Sequence, residues 1–201
     1  MSFDSQVDEN ENKPLNEKEY NQRLLDSLFS EGMSQDPWSF INDYILRMLK
    51  ISEDRSDTGS DMTARPLLAG DALRSLIGKY LGALGWDYFL KVPADDKQGS
   101  HKFDVLAEKD FHTIVVEVEP VININNFDQV VVHIIQAKGL FSRVRVFLGT
   151  NISNARNLLC GGDITDVLME YATRHQLGVI FVDNDKFWII PAEFLLITAD
   201  Y

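Results

Sequence analysis

Glu117 and Glu119 stand two residues apart in the stretch IVVEVEP, residues 114–120, where β-branched residues otherwise read as a buried strand. In a strand, residues i and i+2 face the same way, so the two carboxylates share a side, about 7 Å apart by strand rise. Ile114, Val116 and Val118 face the other way and form a packed side. Burying an unpaired carboxylate is costly or forces it to take up a proton. The preceding strand, KFDVLAE at residues 102–108, carries Asp104 among Phe103, Val105 and Leu106. The short turn KDF makes the two strands a hairpin and brings Asp104 toward the glutamates. Carboxylates gathered in this way repel each other. A divalent cation relieves the repulsion, and hard oxygen ligands select Mg²⁺ or Mn²⁺. The competing reading makes all three ordinary polar residues of a solvent-exposed strand end.

The elements that must position these residues follow from periodicity. GDALRSLIGKYLGALG, residues 70–85, places Leu73, Leu76, Ile77, Tyr80, Leu81 and Leu84 on one side of a helix. Strands are predicted at WDYFLKV (86–92), KFDVLAE (102–108) and HTIVVEVE (112–119), with the polar turn PADDKQGSH between the first two. A helix over NNFDQVVVHIIQAKGLF (125–141) and a strand over RVRVFLGT (143–150) come next. GDITDVLMEYATRHQ (162–176) reads as a helix, LGVIFVD (177–183) as a strand and KFWIIP (186–191) as a last short strand. The order α-β-β-β-α-β-α-β-β implies a mixed α/β sheet with helices on both faces.

This order, with Asp104 on the second strand and Glu117-Val118-Glu119 on the third, resembles the PD-(D/E)xK nuclease superfamily over roughly residues 67–150. The resemblance implies a restriction-endonuclease-like mixed central sheet flanked by helices, built on an α-β-β-β-α-β core. It implies Asp104 and Glu117 as ligands of Mg²⁺ or Mn²⁺. It makes Asp104, Glu117 and Glu119 the catalytic set, with Glu119 standing where the superfamily usually has Lys. The implied activity is metal-dependent phosphodiester hydrolysis of DNA in a repair, restriction or mobile-element role. The alternative is a catalytically degenerate domain of the same fold, acting as an interaction or oligomerisation module.

On the helix after the third strand, Gln129, His133 and Gln136 form one polar stripe opposite Phe127, Val130, Val131 and Ile134. Gln129 resembles a helix Gln that some nucleases of this fold place beside the site; a solvated polar stripe is the competing reading. Arg143 and Arg145 alternate on the next strand, as phosphate ligands or as partners of neighbouring acids. Asp71 suits the first turn of its helix through the helix dipole. Cys160, the sole cysteine, reads as inert.

The first 14 residues are polar and read as a disordered acidic tail. Residues 15–51 read as a helical extension, with Tyr20, Leu24, Leu25 and Leu28 on one apolar face and Trp38, Ile41, Ile45 and Leu49 on another. Asp36 and Pro37 begin the second of these helices. Residues 52–65, SEDRSDTGSDMTAR, read as a linker, and 66–201 as the α/β domain. The extension's apolar faces pack on that domain or join two copies in a homodimer. A net charge of −12 argues against a nonspecific nucleic-acid coat but leaves a locally charged site open. The acidic start and the lack of a membrane-length apolar run suggest a cytoplasmic protein that avoids membranes.

Overall fold

The alternation and turn signals do become strands. A computed structural model describes residues 17–29, 41–56, 68–93 and 102–198. Six strands form where β-branched and aromatic residues cluster between turns: β1 Asp87–Pro93, β2 Lys102–Lys109, β3 His112–Val118, β4 Val144–Asn151, β5 Leu177–Asp183 and β6 Lys186–Ile190. They lie side by side in chain order in one sheet. β1 to β3 pair antiparallel, β3, β4 and β5 pair parallel, and β6 returns antiparallel to β5. The chain is thus α/β with a mixed, open sheet. The interior strands β3 and β5 are buried on both faces, which explains their unbroken apolar runs.

Helix α1 spans Glu17–Phe29, α2 Ile41–Ser56, α3 Gly70–Ala83, α4 Ile124–Leu140, α5 Ala155–Leu159, α6 Asp163–His175 and α7 Ala192–Thr198. Gly149 shows which face α3 covers. A Cβ there would sit 2.5 Å from Ile77 of α3 and 3.0 Å from Val116, so only glycine lets the helix approach this closely. The side of β3 carrying Val116 and Val118 therefore faces α3. The alternate residues, Glu117 among them, face α4 on the other side.

The N-terminal helices close the β6 edge. Edge strands expose unpaired backbone groups that invite other strands. Here side chains from α1 and α2 occupy them. The Phe187 N–H donates to the Glu17 carboxylate, and the Ile189 N–H donates to the Tyr44 hydroxyl at 3.0 Å. Asn21 Nδ2 donates to the Phe187 carbonyl at 2.8 Å and to the Tyr80 hydroxyl at 2.7 Å, while its Oδ1 accepts from Tyr44 at 2.8 Å. Leu24, Leu25, Leu28, Tyr44, Ile45 and Met48 are buried in the same core as the sheet residues. Of the apolar faces that the sequence offers to the domain or to a second copy, Tyr20, Leu24, Leu25, Leu28 and Ile45 are covered by the chain's own core and Leu49 packs against it.

Two boundaries differ from expectation. α2 continues through Ser56, and Ser52 is buried, so residues 52–56 of the expected linker belong to the helix. The apolar stretch after Ile190 turns into α7 with Phe194 and Leu195 buried, where no helix was predicted. The acidic tail, Asp36, Pro37, Trp38 and the rest of the linker lie outside the described residues, as does the side chain of Ile41. No helix among the described residues is long and apolar enough to cross a membrane.

Asn21 is the test of how the extension is held. Asn21→Ala removes three hydrogen bonds and strands buried partners, at about 1 kcal/mol or more each. The expected loss is about 3 kcal/mol, read as a lower urea midpoint. A midpoint unchanged from the wild type would show that these bonds do not anchor α1.

Candidate functional site

The acids meet where the β2–β3 ladder ends. The last paired residues are Val105 and Val116, so Asp104 and Glu117 are the next neighbours across the hairpin. There the Asp104 side chain takes over from the backbone: its Oδ2 accepts the Val118 N–H at 2.9 Å. Its Oδ1 accepts from Arg74 Nε of α3 at 2.6 Å. Arg74 also pairs with Asp71, and Lys91 Nζ lies 3.0 Å from the same Asp71 carboxylate. These two pairings, with Lys91 first, hold the Asp71 carboxyl below its usual range.

Glu117 is only 4% exposed. Its Oε2 lies 2.9 Å from His133 Nδ1, projected from α4. Its Oε1 is buried without a hydrogen-bond partner among the described residues. Burial pushes its pKa up, against the His133 hydrogen bond, and the nearby Asp104 charge pushes it further the same way. Glu119 is half-buried. Its carboxyl is also raised, first by burial and then by repulsion from Asp104 and Glu117. The three acids are therefore within electrostatic reach of one another, as the hairpin register implies. They do not converge into one cage: among the described residues, no group of three or more His, Cys, Asp or Glu side chains is placed to hold a metal ion.

The backbone that carries Glu119 is pinned from β4. The Glu119 N–H donates to the Gly149 carbonyl at 3.0 Å, and its carbonyl accepts from Thr150 Oγ1 at 2.7 Å. Asn151 and Asn154 donate to the Pro120 carbonyl, at 3.0 and 2.9 Å. Asn151 also bridges both backbone groups of Leu68, just ahead of α3. This buried amide network ties the exit of β3 to the start of the helix that carries Arg74.

The other predicted site residues fall differently. Gln129 is exposed on α4, one turn before His133. The structure does not bring Arg143 or Arg145 to the acids. β3 and β4 are parallel, so the start of β4 lies beside the start of β3: Arg145 is level with Ile114, whereas Glu117 is level with Leu148. Arg145 is engaged there by Glu193 at 2.5 Å and the Leu28 carbonyl at 3.0 Å. Arg143 is exposed at the same far end. Among the described residues, the basic groups that touch Asp104 and Glu117 are Arg74 and His133. His133 was read as part of a polar stripe, and Arg74 was not singled out. The sequence signal for His133 was its place on that stripe of the helix following the acidic strand; nothing local marked Arg74.

No protein-family model matches the chain, and a search of curated proteins finds no significant match.

The electrostatics give a signed pH dependence. Glu117 and His133 both have folded-state pKa values above their usual ones, the first through burial and the second through the Glu117 hydrogen bond. Each therefore contributes stability that is present below its unfolded value and is lost as pH rises through the folded value. The wild type is expected to lose stability from above pH 4.5 and again from above pH 6.5. Glu117→Gln removes the first group and the main cause of the second shift. Urea midpoints across pH 4–9 should fall less steeply for the variant, which should be the more stable protein at pH 8. Parallel curves for the two proteins would contradict this account.

Proposed function

We propose that the Asp104–Glu117 end of the sheet is a cation-dependent site for hydrolysis of phosphodiester bonds, in a domain of restriction-endonuclease-like fold. The observation that carries the reading is the buried Glu117 carboxyl beside Asp104 and Glu119: its Oε1 makes no full hydrogen bond among the described residues, with only the Asp104 backbone N–H near the carboxyl to favour its charge. A lone buried acceptor lacks a donor or a cation, and its neighbours are hard oxygen ligands suited to Mg²⁺ or Mn²⁺. Mg²⁺ typically keeps several waters and takes only one or two protein carboxylates, so Asp104 and Glu117 suffice without a three-acid cage. The succession α3-β1-β2-β3-α4-β4, with strands adjacent in chain order, further supports the likeness to PD-(D/E)xK nucleases.

In this reading Asp104 and Glu117 hold the cation. A bound cation supplies charge that polarises a phosphoryl oxygen and lowers the pKa of water. Glu119, whose carboxyl is made more basic than an ordinary glutamate by burial and the neighbouring acids, would take a proton from the attacking water. His133 fixes Glu117 Oε2 and leaves Oε1 for ligation. The substrate is DNA.

One observation favours a second reading. Asp104 and Glu117 already have protein cations, Arg74 and His133, against them. A domain whose acids are neutralised internally would serve as a non-catalytic interaction module.

Thermal melts and cleavage assays separate the two. The cation reading predicts that millimolar Mn²⁺ or Mg²⁺ raises the melting temperature of the wild type by mass action, and that Asp104→Asn and Glu117→Gln abolish the rise. It predicts metal-dependent cleavage of single-stranded, duplex or branched DNA that both substitutions reduce by about a hundredfold or more. No metal-dependent shift and no cleavage would leave the module.

A further inference from the structure

An acidic chain that acts on a polyanion needs cations at the place of contact. Local charge, not the molecular total, decides whether a phosphate approaches. With Arg143 and Arg145 at the far end of the sheet, the basic groups among the described residues that contact the acids are Arg74, Lys91 and His133. Arg74 is in an unusual position for a structural ion pair. Its side chain is only 15% exposed, and it contacts two carboxylates at once, Asp104 through Nε and Asp71 through Nη1. Its Nη2 has no hydrogen-bond partner among the described residues. A guanidinium carries five N–H donors in a planar fork that matches two oxygens of a phosphate, so a considerable part of its donor capacity is unengaged.

Arg74 also competes with a cation for the same ligand. It occupies Asp104 Oδ1, while Oδ2 is taken by the Val118 N–H. A divalent ion arriving at Asp104 and Glu117 meets a positive guanidinium within hydrogen-bonding distance of its own ligand. Like charges at that separation in a partly buried site cost several-fold to many-fold in affinity. The guanidinium has somewhere to go. Asp71 is exposed and lies on the first turn of α3, next to the solvent-exposed Lys91.

We propose that Arg74 is the substrate-phosphate ligand of this site, stored on Asp104 in the cation-free protein and released to the DNA backbone when a divalent ion takes Asp104. The inference rests on the cation-site reading above and assigns it a substrate contact and an order of events: cation first, phosphate second. In the cation-free state Asp104 masks the guanidinium, and phosphate finds an acidic surface. In the loaded state Asp104 is shared with the ion, and the fork of Arg74 faces outward beside Lys91.

The signature is a pair of effects with opposite sign, which a purely structural ion pair does not produce. Arg74→Gln removes the competing charge, so Mn²⁺ binding, followed by electron paramagnetic resonance, should tighten by about tenfold. It also removes the phosphate ligand. Binding of a fluorescein-labelled 20-nucleotide duplex, and of the corresponding single strand, should be enhanced by Ca²⁺ in the wild type and should lose that enhancement, about tenfold, in the variant. Arg74→Lys keeps the charge without the fork. It should leave Mn²⁺ affinity near the wild type and recover only part of the DNA enhancement. Melting curves confirm that each variant is folded, and Arg74→Lys carries the test if Arg74→Gln does not fold. Wild-type binding of Mn²⁺ and Ca²⁺-enhanced DNA binding, with both unchanged in Arg74→Gln, would overturn the role of Arg74 and leave the cation site standing. Weaker Mn²⁺ binding in Arg74→Gln would overturn it too. No Mn²⁺ binding in either protein would remove the cation site and this inference together.

Discussion

A carboxylate at the end of a strand buried on both faces has to be compensated by whatever the two helix layers bring to it. Glu117 sets that requirement. Its strand is central because β3 is the point where the antiparallel hairpin side of the sheet meets the parallel side. The helix on its own face, α4, supplies His133. The opposite face is packed so closely by α3 that a glycine is needed at position 149, and that closeness is what puts Arg74 within reach of Asp104. Asp104 in turn substitutes for the lost β2 carbonyl by accepting the Val118 N–H. The end of the ladder, the two helix positions and the amide network behind Glu119 are thus answers to one electrostatic problem.

Much of this was legible in the sequence because it follows from short-range periodicity. The strands and helices predicted between residues 70 and 190 fall within a residue or two of the observed boundaries, while the short α5, Ala155–Leu159, was not predicted. The hairpin register followed from a short turn, and it placed Asp104 beside Glu117. What was not legible depends on contacts between residues far apart in the chain. Arg74 and Asp104 are separated by 30 positions. A helix arginine one turn from an aspartate looks the same whether it faces water or the sheet. Ser52–Ser56 continue α2 although their polar composition resembles a linker, because Ser52 is covered by the rest of the fold. α7 is a single short helix of apolar residues, too brief for a helical period to show against a strand.

The placement of Arg143 and Arg145 was recoverable from topology and was not recovered. A β-strand, a crossover helix and a second parallel strand run in the same direction. Residues at the start of the second strand must then lie at the start of the first. Acids at the end of β3 cannot share a site with arginines at the start of β4 unless the strands are offset by several residues, and the observed register has no such offset. Alternation says which face a side chain takes, while strand direction says which end. Alternation alone leaves both readings of the arginines open, and Arg145 takes the one in which it pairs with a neighbouring acid, Glu193. The same rule points to the residues at the end of β4 as neighbours of the acids. Gly149, Thr150 and Asn151 are indeed the residues that fix the exit of β3.

Charge at the acid end is unevenly shared among the described residues. Asp71, Asp104, Glu117 and Glu119 face two permanent cations, Arg74 and Lys91, and one histidine. Asp71 takes most of Lys91 and part of Arg74, so the deficit falls on Glu117 and Glu119, the two groups whose pKa values are raised. A cluster evolved only for stability has cheaper forms, since an uncharged amide at position 117 would accept and donate without the desolvation cost of a carboxylate. The carboxyl is instead retained, with burial raising its pKa and the His133 hydrogen bond and the Asp104 backbone N–H opposing that rise. Added positive charge at this end relieves the repulsion between Glu117 and Glu119 and at the same time loosens the hold of Asp104 on Arg74. On the proposed reading, neutralisation of the acids and release of Arg74 to a phosphate are two consequences of one event.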